Sequence, residues 1–207
     1  MDNLKIIAAT GAAQIADHIA GQLAAALAAS GGPVAITVPG GSTPFPIFEE
    51  LLTRDLDFWR LLVWPGDDRV VPSDHPASNA GRIRALFEPA GAEVVTLTIM
   101  EQVPHFTLSW LGMGADGHIA SLFPNTDPRA DEERRILRLT PDPLPPEAPF
   151  DRISLTIPAL LDSDAVMFTL GGSEEKRTLF EAAVRGENDL PIARLLSEAR
   201  QPVICFA

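Results

Sequence analysis

The sequence predicts an α/β protein, a mostly parallel sheet covered by helices on both faces. Two observations carry this. Strand-like runs alternate with helical stretches along almost the whole chain. Glycine-rich polar clusters follow the strand-like runs, which is where open α/β sheets place their ligands. With 207 residues, 46% of them hydrophobic, the chain can bury a full core as one domain spanning 1–207.

The elements follow in order. From Gly11 to Ala29 an Ala-rich stretch carries Ile15, Ile19, Leu23 and Leu27 every four residues, one apolar stripe on a long helix, and Gly31-Gly32-Pro33 stops it. Val34 to Val38 is a short β-branched strand, Pro39 to Pro44 a glycine-rich turn, and the chain then reads as helix through Leu52. Leu61 to Trp64 is strand-like and runs into Pro65-Gly66-Asp67-Asp68-Arg69; Ser78 to Phe87 is the next helix. A strand is expected near Val94 to Leu97 and another from Phe106 to Leu111, the latter ending in Gly112-Met113-Gly114-Ala115-Asp116-Gly117-His118 with a short helix to follow. Thr140 to Phe150, with five prolines in eleven residues, is a surface loop. Arg152 to Ile157 alternates like a strand, Ala165 to Leu170 is a buried strand, and Gly171-Gly172-Ser173 leads into a helix from Glu174 to Val184. Pro202 to Ala207 reads as a final buried strand holding the single cysteine, Cys205.

Composition narrows the function. Acidic residues outnumber Lys and Arg by 28 to 16, a net charge of −12, so the averaged field repels nucleic acid and anionic membrane. No apolar run is long enough to span a bilayer and no secretory signal opens the chain, so a soluble, cytoplasmic protein is expected. Gly-x-Ser-x-Gly, His-Glu-x-x-His and Cys/His clusters are all missing from the sequence, which leaves covalent serine chemistry and zinc catalysis without their usual carriers.

Three clusters remain. Gly40-Gly41-Ser42-Thr43-Pro44 has the make-up of an anion cradle, with converging backbone N–H groups and two hydroxyls, or of a plain tight turn. Asp116 and His118 share one glycine-rich strand end, where a histidine is suited to proton transfer. His18, His75 and His105 read as surface or packing residues. Lys176, one of only two lysines, falls in the first turn of a helix, where it opposes the helix dipole and suits either a bound anion or solvent. Arg69 and Arg152 are the arginines nearest to strand ends.

Taken together, these blocks are familiar. Gly40 to Pro44, Gly66 to Pro72 with Asp74-His75-Pro76 and Ser78-Asn79, Gly112 to Pro124, Arg152 to Thr156 and Gly172 to Lys176 occur in the order seen in the 6-phosphogluconolactonase family, which the chain resembles over most of its length. The resemblance implies a Rossmann-like three-layer α/β/α fold and hydrolysis of 6-phospho-D-glucono-1,5-lactone in the oxidative pentose phosphate pathway, with no metal or organic cofactor. Its expected site has His118, Asp67 and Asp116 as catalytic residues and Gly40, Gly41, Ser42, Thr43, Arg69, Arg152 and Lys176 as substrate-binding residues. The expected partner is a small phosphorylated lactone, and the expected assembly a monomer or weak homodimer. Sugar-phosphate isomerases and deaminases of the same fold group would carry Phe-Asn-Glu where this chain has Ala120-Ser121-Leu122. A non-catalytic sugar-phosphate sensor is the other alternative. The chain departs from the family at Asp68, usually Glu, at Ile119, usually Thr, and between Thr98 and Thr107, where relatives carry an extra helical segment. That shortening predicts a more open lactone side of the site.

Overall fold

Every residue of β2 (Val34–Val38), β6 (Leu108–Leu111) and β9 (Val166–Thr169) is buried. Continuous burial belongs to strands covered on both faces, and these three lie side by side in the middle of a seven-stranded sheet. In chain order its other strands are β1 (Leu4–Ile7), β3 (Leu61–Pro65), β5 (Glu93–Val94) and β10 (Val203–Phe206). The lateral order is β1-β10-β9-β6-β2-β3-β5 and every pairing is parallel. A second, antiparallel sheet joins β4 (Asp67–Arg69), β8 (Arg152–Leu155) and β7 (Ile136–Leu139) in the order β4-β8-β7. This is a computed structural model, and it describes residues 3–8, 11–146 and 148–207.

Two layers of helix cover the central sheet. On one face lie α1 (Ala12–Ala29), α2 (Phe45–Leu51) and α3 (Asn79–Phe87). The expected stripe of α1 is buried at Ile15, Ile19, Leu23 and Leu27, each contributing roughly 1.5–3 kcal/mol. Arg60 closes the end of that helix by donating to the carbonyls of Leu27, Ser30 and Gly32 at 3.1, 2.6 and 3.0 Å. On the other face lie α4 (Ile157–Leu161), α5 (Glu174–Val184), α6 (Pro191–Glu198) and the small sheet. The three-layer α/β/α arrangement is therefore present, with the antiparallel sheet as an addition.

Several local expectations change. No helix follows His118; the chain makes tight turns, with Ala120 in the left-handed region at φ 49°, and reaches only a single 3-10 turn at Pro124–Thr126. The strand expected from Arg152 to Ile157 stops at Leu155 because Thr156 caps α4, its hydroxyl accepting from Ala159 N–H. That strand also pairs outside the parallel sheet. Phe106 makes only an isolated bridge to Ser163, so β6 starts at Leu108, and β5 is two residues long. Among the described residues no helix is long and apolar enough to cross a membrane. Cys205 is buried, which pushes its thiol up to about 12 and leaves it unreactive.

Candidate active site

Although β2 and β6 are neighbours, the chain runs outward from β2 to β3 and β5, and outward the other way from β6 to β9 and β10. The connections diverge at their C-terminal ends, the position at which α/β sheets open a crevice. A cleft of about 840 Å³ lies there. It is bordered by Gly40, Gly41, Ser42, Thr43, Asp67, Arg69, His118, Arg152 and Lys176, nine of the ten residues singled out from sequence. Asp116 is the tenth and stands behind His118.

The glycine-rich turn offers the cleft the groups an anion would need. Among the described residues, Gly40, Gly41, Ser42 and Thr43 donate no backbone hydrogen bond, so four successive N–H groups are free. Gly41 takes φ 85°, which a side chain would resist, and a Cβ on Gly40 would lie 2.3 Å from Asn79. The turn after β9 abuts this one: an added Cβ on Gly171 would sit 3.2 Å from Thr43. Lys176 follows in α5, whose cap Ser173 accepts from Lys176 N–H at 3.3 Å. Most basic side chains of this protein are tied to carboxylates, for example Arg54, Arg84, Arg135 and Arg194. Among the described residues Arg69, Arg152 and Lys176 are not. Arg69 donates to Ala77 O and Asn79 Oδ1 at 2.8 and 3.3 Å. Arg152 is buried and donates to the carbonyls of Phe150 and Ala148; burial first, and Arg69 second, make its charge harder to hold than usual.

The cleft also brings a histidine and a carboxylate into contact. His118 Nδ1 lies 2.6 Å from Asp116 Oδ1, which also accepts from His118 N–H at 3.2 Å. A carboxylate on Nδ1 places the ring proton there and leaves Nε2 as the acceptor. The hydrogen bond from His118 holds Asp116 below the usual carboxylate range. Phe123 packs on the imidazole with ring centroids 4.6 Å apart.

Asp67 borders the same cleft. Its carboxylate is buried and accepts from Ser121 Oγ at 2.5 Å and from Asn79 Nδ2 at 3.5 Å. Burial raises its pKa, and the Ser121 hydrogen bond only partly opposes that. Asp68 faces the other way and serves α3: it accepts from the N–H groups of Asn79 and Ala80 at 2.6 and 3.0 Å and from Ser78 Oγ at 3.0 Å. Ser121, Asn79 and Phe123 were not singled out as site residues, although each stands in a motif block. The Pro-rich loop was read only as surface, yet Pro145, Ala148, Pro149 and Phe150 wall the cleft. None of residues 98–107 borders it. Among the described residues no group of three or more His, Cys, Asp or Glu side chains is placed to hold a metal ion.

The family model for glucosamine-6-phosphate isomerases/6-phosphogluconolactonase matches residues 8–94 and 88–204. The chain belongs to this family. Its relatives in the glucosamine-6-phosphate isomerase/6-phosphogluconolactonase family include the 6-phosphogluconolactonase of Helicobacter pylori strain J99, 33% identical over 183 residues, covering 79% of this chain and 78% of the relative. The 6-phosphogluconolactonase of Neisseria meningitidis serogroup A is 32% identical, with coverage of 92% and 91%. Among solved structures, a 6-phosphogluconolactonase from Shewanella baltica superposes with a TM-score of 0.80 at 26% identity, covering 98% of this chain and 96% of the other.

Proposed function

We propose that this protein is an enzyme that hydrolyses 6-phospho-D-glucono-1,5-lactone to 6-phospho-D-gluconate, the lactonase step of the oxidative pentose phosphate pathway. The observation that carries the reading is that the free N–H groups of Gly40–Thr43 and the unpaired Lys176 border the same cleft as His118, with Asp116 2.6 Å behind it. A six-membered lactone with its phosphate spans such a cleft from cradle to imidazole.

A lactone is an activated ester and needs no nucleophilic side chain. The phosphate rests on Gly40, Gly41, Ser42 and Thr43 with Lys176 and Arg152, and Arg69 binds from the wall shared with Asn79. His118 Nε2 takes a proton as water oxygen bonds to the lactone carbonyl carbon. The tetrahedral intermediate then collapses, the bond from that carbon to the ring oxygen breaks, and His118 returns the proton to the departing oxygen. Asp116 orients the imidazole and balances its transient charge. Asp67 positions substrate hydroxyls. The reaction as written uses no metal or organic cofactor. We further propose that the chain acts as one domain, as a monomer or weak homodimer, in the cytoplasm, without nucleic acid or membrane partners. Its net charge of −12 and the small number of exposed large apolar side chains among the described residues, Trp59, Val70, Ile99 and Met100, support the absence of nucleic acid and membrane partners.

The test is acid release from freshly generated lactone, measured above spontaneous hydrolysis. Wild-type protein accelerates it, and His118→Asn lowers kcat by roughly 10²- to 10⁴-fold, the usual worth of a placed acid or base. Absence of acceleration removes the lactonase reading; a variant within tenfold of wild type removes His118 as the base.

A further inference from the structure

We propose that Arg82 is an additional substrate-recruiting residue, a cation fixed at the lip of the cleft that draws phosphorylated ligands toward the Gly40–Thr43 turn. The guanidinium carbon of Arg82 lies 4.0 Å from the centre of the Phe45 ring. Phe45 is the first residue of α2 and follows Pro44, which borders the cleft. Arg82 stands one helical turn beyond Asn79 on α3, and Asn79 borders the cleft. The stack therefore joins α2 and α3 just outside the cleft lining, one residue from Pro44 and one turn from Asn79.

The manner in which Arg82 is held matters. An aromatic face fixes a guanidinium without cancelling its charge, whereas a carboxylate partner fixes and neutralises it. Its neighbour on the same helix shows the contrast: Arg84 is tied to Glu88 at 2.8 Å and to Val94 O and Thr96 Oγ1 at 3.2 and 2.8 Å. Among the described residues Arg82 has no acidic partner within 4.0 Å. In a chain of net charge −12, a doubly charged phosphate ester meets repulsion everywhere except where cations are left uncompensated. Arg82 extends the field of Arg69, Arg152 and Lys176 outward from the cleft wall to its mouth.

This inference takes its ligand from the lactonase reading, so it is tested by binding, apart from turnover. The probe is 6-phosphogluconate, titrated by calorimetry against wild type, Arg82→Met, Arg82→Lys and Lys5→Met at about 20 mM and about 300 mM salt, where the screening length falls by more than half. Lys5→Met removes the same charge from an exposed position on β1. Arg82→Met is expected to weaken binding about two- to fivefold at low salt and to converge with wild type at high salt. Arg82→Lys keeps most of the affinity and Lys5→Met behaves as wild type. The proposal is overturned if Arg82→Met matches Lys5→Met, or if Arg82→Met and Arg82→Lys lose affinity equally, which marks a packing role on Phe45. Wild-type binding without lactone hydrolysis, with the expected Arg82 series, removes the lactonase reading and leaves this one standing.

Discussion

A methyl group on Gly114 would lie 2.1 Å from His118 Nδ1 and 2.6 Å from Asp116 Oδ1. The glycine is thus the floor on which the His–Asp pair rests, and its φ is not left-handed, so alanine meets no backbone penalty there. The three atoms nearest to such a methyl all belong to the pair. Gly114→Ala is expected to lower kcat about 100-fold, the order of loss that a displacement near 1 Å brings, while thermal unfolding stays within a few degrees of wild type. Stopped assays of lactone hydrolysis beside a melting curve check this, and a kcat within threefold of wild type would show that the imidazole tolerates the shift. At the anion end, Lys176 is a cleaner probe than Arg152. Removing Arg152 also strips the half-buried carbonyls of Ala148 and Phe150 of their donor and so mixes binding with stability.

Strand β4 sends adjacent aspartates to opposite faces, and the two have opposite effects on stability. Asp68 holds the first N–H groups of α3, so Asp68→Ala leaves several buried donors unsatisfied and is expected to cost about 2–4 kcal/mol. Burial raises the pKa of the Asp67 carboxyl above its ordinary value. The folded state therefore binds the proton more tightly than the unfolded one, and the associated stability is present below the unfolded pKa and lost as pH rises through the raised value. Asp67→Asn is expected to melt higher than wild type at neutral pH by a few degrees, with the gap closing toward about pH 4, as melting curves across that range would register. Apolar patterns were legible in the sequence: the stripe of α1 and the run of β2 stand where their patterns put them, and β6 and β9 lie inside their expected runs but start later, at Leu108 and Val166. The second sheet was legible only in part. Alternation marked β8, but β4 is three charged residues, β7 mixes Arg138 with apolar residues over four positions, and β4 and β8 pair Asp67 with Ser154, far apart in the chain. Neither an unbroken apolar run nor a period of two declares itself in β4 or β7. Ser121 was hidden for a related reason, since its worth comes from contact with Asp67, 54 residues away.

Across the whole molecule, charge is divided between the two ends of the sheet. Arg69, Arg152 and Lys176, which have no acidic partner among the described residues, border the cleft at the C-terminal ends of the strands. At the opposite end His105 is held between two carboxylates, with Nδ1 2.6 Å from Asp162 Oδ1 and Nε2 2.9 Å from Asp164 Oδ1, and Arg135 reaches Asp162 at 2.6 Å. This clip pins the connection between β5 and β6 to the chain entering β9. The hydrogen bond to Asp162, then that to Asp164, raises the His105 pKa. Its stabilisation is complete below the unfolded value of about 6.5 and is lost as pH climbs through the raised one. His105→Asn is expected to melt about 1–2 °C below wild type near pH 6, a small effect because the group is largely exposed, and to match it near pH 9. A constant difference across that range would assign the loss to packing. The edge strand β1 has a consequence of another kind. Among the described residues its one partner in the sheet is β10, with Leu4 opposite Val203, whereas β2, β3, β5 and α1–α3 all lie between residues 12 and 94. During synthesis at roughly 5–20 residues per second, β1 therefore trails unpaired from the ribosome for about 10–40 s while that half of the molecule takes shape. Leu4, Ile6 and Ile7 stay without their strand partner through all of that interval, so a nascent chain of this protein is open to chaperone capture or misassociation at β1.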